Sequence, residues 1–311
     1  MKFGVIDIGS NAMRFQVTKV IGNENDVNFK KIEYIRFPLR LGDDVFQNGE
    51  ISKIKEAKFV KFMEASKMLF DLYEVDDYLV CATSAMRESK NGKRIAEAVK
   101  KKCGLEIKII SGEIEALYIN NVVQHNLKED NYIHIDVGGG STELNIYIDK
   151  VKVASESFKI GSVRRLNKMD TPEAWQEMED WIKTNVQKEG KSLVAIGTGG
   201  NIGKIYDLFN GSKSERTISY KAVEETIEKV KKLTLEERIN VMMLNPDRAD
   251  VIVPASEIYL SVMNWAGAKK IFVPEVGLKD GMIQVLYEKH FLGQDLTPGS
   301  EAPKKRLFRF F

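Results

Sequence analysis

The sequence predicts an α/β protein with two related lobes, each holding a mixed sheet, and three observations carry that reading. Strand-like apolar runs alternate with helical periodicities along the chain. An acidic, glycine-containing turn is written twice, at Asp7-Ile-Gly-Ser-Asn11 and at Asp136-Val-Gly-Gly-Gly-Ser-Thr-Glu143. Each turn ends an apolar run and leads into alternation: Met13, Phe15 and Val17 after the first, Leu144, Ile146 and Ile148 after the second. Alternation is the period of a half-buried strand, so each unit reads as strand, tight turn, strand. The Rossmann unit and the phosphate-binding P-loop need strand, turn, helix, and neither glycine signature follows the first strand. Two copies predict lobes at 1–125 and 126–293, a tail at 294–311, and turns that face each other across a cleft.

The other elements follow in order. Residues 30–41 continue the extended stretch, and Ile54, Ala57, Phe59, Val60, Phe62, Met63, Leu69 and Phe70 give 51–71 the spacing of an amphipathic helix. Asp77 to Ala82 reads as a buried strand stopping at Thr83-Ser84, 91–103 as a helix ending at Gly104, and 106–110 as a strand. A helix then opens at Glu113, with carboxylates in the first turn where the helix dipole favours them. In the second lobe, 151–158 reads as a strand and Pro172 opens a helix through Val186. A strand at 192–196 runs into Gly197-Thr198-Gly199-Gly200. Helices are expected at 220–233, 235–243, 247–260 around Pro254, and 280–291, with a strand at 270–273.

Composition excludes several classes. There are 47 basic and 45 acidic side chains, a net charge of +2. A general nucleic-acid binder carries a larger excess, so no DNA partner is expected. No apolar run approaches the length that spans a bilayer, and the N-terminus enters a strand directly, so no membrane partner and a cytoplasmic location are expected. Only Cys81 and Cys103 are present, which excludes a disulfide framework, and the three scattered histidines argue against zinc. A local basic track is expected from Arg87, Lys93 and Arg94 in one lobe and Lys159, Arg164, Arg165 and Lys168 in the other.

Glycines in a turn let successive backbone N–H groups converge on an anion. Gly138, Gly139 and Gly140, followed by the hydroxyls of Ser141 and Thr142, suit a phosphate, and Gly9, Ser10 and Asn11 offer a smaller version. Gly197, Thr198 and Gly199 form a third glycine loop. Aspartates repel a phosphate unless a cation bridges them. Mg²⁺ takes a few carboxylates and completes its octahedron with water and phosphate oxygens, so Asp7, Asp136 and Glu143 are candidate ligands. Thr83, Ser84 and Arg87 stand beyond a strand end as a phosphate clamp, with a helix N-cap the alternative for either hydroxyl. Ser111-Gly-Glu-Ile-Glu-Ala116 offers Glu113 and Glu115 as acceptors of a proton from attacking water; one of the two need face the cleft.

These residues in this order resemble the exopolyphosphatase/guanosine pentaphosphate phosphatase (Ppx/GppA) family, within the actin-like ATPase, sugar kinase and Hsp70 superfamily. The resemblance spans nearly the whole chain. It rests on Asp7-Ile-Gly-Ser-Asn11 with Arg14, Thr83-Ser-Ala-Met-Arg87, Ser111 to Ala116 and Asp136 to Glu143. Gly161, Gly197 to Gly200, Arg248 to Pro254 and Gly277 to Gly281 extend it. It implies two ribonuclease-H-like lobes, an interlobe active site, and Mg²⁺-dependent release of terminal phosphate from polyphosphate or of the 5′ γ-phosphate from guanosine pentaphosphate. By the motifs, Glu115 is the base for water, the two main turns with Arg14 and Arg87 hold phosphate, and Asp7, Asp136 and Glu143 surround the metal. A homodimer is implied as well.

The chain departs from the family pattern at Ile114, Ala12, Asn201 and Ala255, where glutamate, serine, threonine and glycine are frequent. It reads as a short form without the C-terminal helical domains of longer members, which favours short polyphosphate chains or a nucleotide. Two other classes compete with a hydrolase: a non-hydrolytic nucleotide or polyphosphate sensor, and a small-molecule kinase of the same superfamily. The Ser-Gly-x-x-Glu-Ala motif belongs to the phosphatase branch.

Overall fold

The structure is a computed structural model that describes residues 1–23, 26–124, 131–189, 193–209, 216–293 and 307–310. The chain divides into two compact units, Met1–Asn126 with Val276–Phe311, and Leu127–Glu275. The first unit opens with an antiparallel meander of β1 (Lys2–Ile8), β2 (Met13–Asn23) and β3 (Asp26–Phe37). It continues with α1 (Leu41–Asn48), α2 (Lys53–Leu72), β4 (Asp77–Ala82), α3 (Ser84–Glu88), α4 (Gly92–Cys103), β5 (Ile107–Ile109) and α5 (Gly112–Gln124).

The second unit holds β6 (Tyr132–Val137), β7 (Thr142–Ile148), β8 (Val151–Phe158), α6 (Ser162–Leu166), α7 (Pro172–Glu189), β9 (Val194–Thr198) and α8 (Gly200–Phe209). Then come β10 (Thr217–Ser219), α9 (Tyr220–Lys231), α10 (Leu235–Asn240), α11 (Pro246–Ala249), α12 (Ile252–Trp265) and β11 (Lys270–Phe272). The chain returns to the first unit with α13 (Leu278–Leu292) and β12 (Leu307–Phe310).

The sheets repeat one plan. The first runs β12-β3-β2-β1-β4-β5 and the second β10-β11-β9-β6-β7-β8. Aligning β1 with β6 makes β3-β2-β1-β4-β5 match β8-β7-β6-β9-β11, with antiparallel pairs in the meander and parallel pairs beyond it. The matched acidic turns therefore occupy one position in two copies of one topology, the link between the first and second strands.

Burial explains the strands. In β1 a β-carbon at Gly4 would fall 2.4 Å from the Phe70 ring of α2, whereas Phe3 packs its ring 5.5 Å from His290 of α13. The sheet thus lies between helices, and period-2 geometry puts Asp7 on the α13 face with Phe3. β6 and β7 are buried along their whole length, as central strands covered on both faces are. Their inward residues join one core with Met178, Ile182, Ile227, Ile258 and Val262. Ser52 caps α2 by accepting from the Lys55 N–H, and a capping box at Thr234 and Glu237 opens α10.

Three sequence expectations are corrected, and four short elements are added. The last helix belongs to the first unit: Lys289 and His290 both reach Asp77 Oδ2, at 3.0 and 2.7 Å. α13 crosses α5 at Gly281, where a β-carbon would stand 2.1 Å from the Tyr118 carbonyl, so only glycine permits that approach. Within the tail expected at 294–311, Leu307–Phe310 pairs parallel to β3 as an edge strand. The helix expected at 247–260 is two helices, because Pro246 and Pro254 lack the N–H a helix interior needs and sit in first turns instead. Finally, α1, α3, α6 and β10 are too short to leave a periodic signal.

Candidate functional site

In the first unit β1 and β2 pair through Ile8 and Met13, leaving 9–12 as the connection, closed by the Gly9 N–H on the Ala12 carbonyl at 3.2 Å. Asp7 lies opposite Arg14 in the register, and Arg14 Nη1 donates to Asp7 Oδ2 at 2.8 Å. The carboxylate is thereby countered from the next strand. The carbonyl of Ser10 accepts from Gly42 and that of Asn11 from Arg40, so this turn is fastened to α1 and the residue before it. Ser10 Oγ lies 2.8 Å from Ser84 Oγ, and both side chains are buried. That bond joins the first turn to the end of β4, where the Thr83 N–H also donates to the Ile8 carbonyl.

Thr83 and Ser84 stand at the start of α3, and the Thr83 side chain makes no capping bond. Arg87, one turn on, donates from Nη1 to the Ile110 carbonyl at 2.7 Å. The Ser111 hydroxyl accepts from the Ile114 N–H at the start of α5. Of the two candidate bases, Glu113 is exposed and Glu115 is buried. Cys81 neighbours Asp7 across the sheet, and burial first, then the Asp7 charge, pushes its thiol up to about 12. It stays protonated and unreactive.

The second unit builds the equivalent turn differently. Asp136 lies opposite Glu143 in the β6–β7 register, so two carboxylates occupy the positions that hold Asp7 and Arg14 in the first unit. Their oxygens come within 4.8 Å of each other, and both residues are buried. Glu143 Oε1 accepts from Ser141 Oγ at 2.6 Å and from Ser157 Oγ at 3.1 Å. Thr142 Oγ1 is turned away, onto the Ile160 carbonyl.

The glycines between these acids are aimed by α6. Ser162 N–H donates to the Gly138 carbonyl, Val163 and Arg164 N–H groups to the Gly139 carbonyl, and Arg164 Nε to the Gly140 carbonyl at 2.8 Å. Three successive carbonyls thus point at one short helix. The described peptide bonds are trans, so each following N–H points the opposite way. The N–H groups of Gly139, Gly140 and Ser141 therefore point away from α6, the direction from which an anion could reach them. A β-carbon at Gly161 would lie 2.5 Å from the Gly139 oxygen, so a glycine there lets α6 approach.

The third loop meets the second. Thr198 lies opposite Asp136 on β9, and its hydroxyl donates to Asp136 Oδ1 at 2.8 Å. Gly197 packs on Ile202 and Ile271, and a β-carbon at Gly199 would stand 3.3 Å from Asp136 Oδ1. Tyr259 OH donates to the Thr198 carbonyl and accepts from the Val137 N–H at 3.4 Å. His134 Nε2 lies 2.9 Å from Thr198 Oγ1, and full burial pushes its imidazole down to about 3, so the ring is neutral.

Sequence reasoning named the acids, glycines and hydroxyls, but the Thr142 and Thr198 hydroxyls, expected to bind phosphate, donate to the Ile160 carbonyl and to Asp136, and Ser157, Tyr259 and His134 were missed. His134 had a signal, since two residues before Asp136 on a strand is the same face; Tyr259 and Ser157 had none. The expected basic track is largely engaged. Arg164 is buried against the glycine turn, Arg165 binds Glu257 and Asp170 while lying over Trp175, and Arg94 binds Glu56.

The donor set between β6 and β7 fits a hard divalent cation: carboxylate oxygens from adjacent strands, with hydroxyls beside them. Among the described residues no helix is long and apolar enough to cross a membrane.

Comparison with known proteins agrees with this construction. Residues 20–290 match the Ppx/GppA phosphatase family. The bifunctional 3-dehydroquinate synthase/phosphatase of Fusobacterium nucleatum is 26% identical over 297 residues, which cover 87% of this chain and 44% of that protein. The chain therefore spans less than half the length of that relative. Exopolyphosphatase 1 of Mycobacterium tuberculosis is 21% identical over 305 residues, covering 91% of this chain and 87% of that one. In fold, the chain is similar to a solved exopolyphosphatase from Cytophaga hutchinsonii, with a TM-score of 0.79 at 20% identity, covering 93% of this chain and 97% of the other. With its double-carboxylate turn and the match over 20–290, the chain belongs to the Ppx/GppA phosphatase family.

Proposed function

We propose that this protein releases terminal phosphate from inorganic polyphosphate, with the 5′ γ-phosphate of guanosine pentaphosphate as a second substrate. The observation that carries the reading is the second turn. Asp136 faces Glu143 across β6 and β7, beside three N–H groups aimed by α6. The names of relatives such as Exopolyphosphatase 1 support the substrate class.

In this reading Asp136 and Glu143 hold Mg²⁺, which would draw charge from the phosphate oxygens when bound. Asp7 serves mainly to counter Arg14. The N–H groups of Gly139, Gly140 and Ser141 hold the terminal phosphate oxygens and stabilise the charge that grows on them. Glu115 accepts a proton from water as its oxygen bonds to the terminal phosphorus. The bridging P–O bond breaks, and the shortened chain leaves with that oxygen. Ser10, Ser84, Thr83 and Arg87 bind further phosphates.

Phosphate release from polyphosphate, guanosine pentaphosphate and ATP, with Mg²⁺ or EDTA, tests this. Glu115→Gln should lower turnover by about 10²–10⁴. Full turnover in that variant would remove the base assignment. Polyphosphate binding without release by the native chain would favour a sensor instead.

A further inference from the structure

We propose that a chain of hydrogen bonds, Ser155–Asn145–His134–Thr198–Asp136, exposed at Ser155 and buried from Asn145 onward, runs across four strands and fixes the Asp136 carboxylate for cation binding. It rests on the reading that Asp136 is a cation ligand. Registers place the side chains side by side: Ser155 opposite Asn145, Asn145 opposite His134, and Asp136 opposite Thr198. His134 and Asp136 are two residues apart on β6, so they share a face.

The proton count sets the direction. A carboxylate only accepts, so the single Thr198 proton goes to Asp136 Oδ1 at 2.8 Å. Thr198 Oγ1 then has only lone pairs for His134, and His134 Nε2, at 2.9 Å, must carry the hydrogen. That makes His134 Nδ1 a bare acceptor, buried and without a partner. Its cross-strand neighbour Asn145 has the complementary group, a buried Nδ2 donor also without a partner, while its Oδ1 accepts from Ser155 Oγ at 2.8 Å. One donor and one acceptor on adjacent residues close the chain, directly or through one buried water.

Burial makes this arrangement informative. His134 and Asn145 are fully buried and Thr198 is 1% exposed. An apolar residue would fill the His134 position at lower desolvation cost. What histidine adds is a fixed donor behind Thr198, leaving the threonine hydroxyl one orientation, toward Asp136. Partners behind a ligand restrict its orientation and raise metal affinity.

The test is Mn²⁺ binding to the full chain, read by the electron paramagnetic resonance of the free ion, with far-ultraviolet circular dichroism to verify folding. Thr198→Val should weaken Mn²⁺ by about 10–100-fold. Thr198→Ser, which restores the hydroxyl, should bind as the native chain does. His134→Leu should weaken binding in the same direction, and His134→Gln, whose amide can donate to Thr198, should recover part of it. If folded Thr198→Val and His134→Leu bind Mn²⁺ as tightly as the native chain while Asp136→Asn does not, the positioning chain is wrong and the cation site stands. If Asp136→Asn also binds normally, the cation assignment falls and the proposal with it.

Discussion

The two acidic turns share a topology and differ at one register position. Opposite Asp7 stands Arg14; opposite Asp136 stands Glu143. The first pairing closes on itself as an ion pair, whereas the second sets two buried carboxyl groups side by side, where a cation could be held. Fastening differs as well. The first turn is held through Ser10 and Asn11 carbonyls by residues at the start of α1, and the second through three glycine carbonyls by α6. Two frames of one topology thus differ at the residue facing the aspartate, arginine in one and glutamate in the other.

The largest effect that can break this contrast is on cation binding. Asp136→Asn should weaken Mn²⁺ by more than about 100-fold, the upper range for changes one step further from the ion. Asp7→Asn should leave Mn²⁺ affinity near native; equal losses in the two variants would erase the distinction. Next is stability: Arg14→Ala leaves Asp7 facing a strand without its counter-charge and should cost about 2–3 kcal/mol in urea unfolding. A neutral result would mean that the pair does not complete the first turn.

Gly161→Ala sharpens the second half of the contrast. The new methyl meets the Gly139 carbonyl, displaces α6, and should cost about 1–3 kcal/mol while raising KM for polyphosphate. Unchanged KM would separate α6 from the aim of the N–H groups.

The remaining effects are opposite pH responses of the two units. In the first, burial raises the Glu288 carboxyl to about 6. Its folded pKa exceeds the ordinary value, so its contribution is present below about pH 4.5 and is lost as pH rises through 6. Glu288→Gln should therefore stabilise the protein above pH 6 by up to about 2 kcal/mol and have little effect at pH 4.5. In the second, His134 is held near 3, so stability is present above pH 6.5 and falls on acidification toward pH 3, by at most about 1.4 kcal/mol per pH unit. Thermal melts of native, Glu288→Gln and His134→Leu chains between pH 4 and 8 check both signs.

Much of the local structure was legible in the sequence. Two-residue alternation on both sides of a short turn determines a hairpin register, so Asp136, the three glycines and Glu143 could be read as one constellation. Arg14 lay within the same logic, one strand over from Asp7. What stayed hidden depends on contacts between distant segments. Nothing near Thr198 signals that its hydroxyl turns to Asp136 rather than to a phosphate. Nothing near Arg164 signals that it grips a glycine carbonyl 24 residues earlier in the chain. The placement of α13 escaped for the same reason, since proximity in sequence favours the second unit while the packing of Gly281 on Tyr118 belongs to the first.

That return of α13 carries a consequence for how the protein is made. Residues 127–275 form one uninterrupted segment, so the second unit can close its core while the chain is still being synthesised. The first unit begins earlier yet finishes later, because the helix that covers the Phe3 and Asp7 face of its sheet emerges after the whole second unit. During translation β1 and β4 would have to wait for α13, which follows the whole second unit, to cover that face.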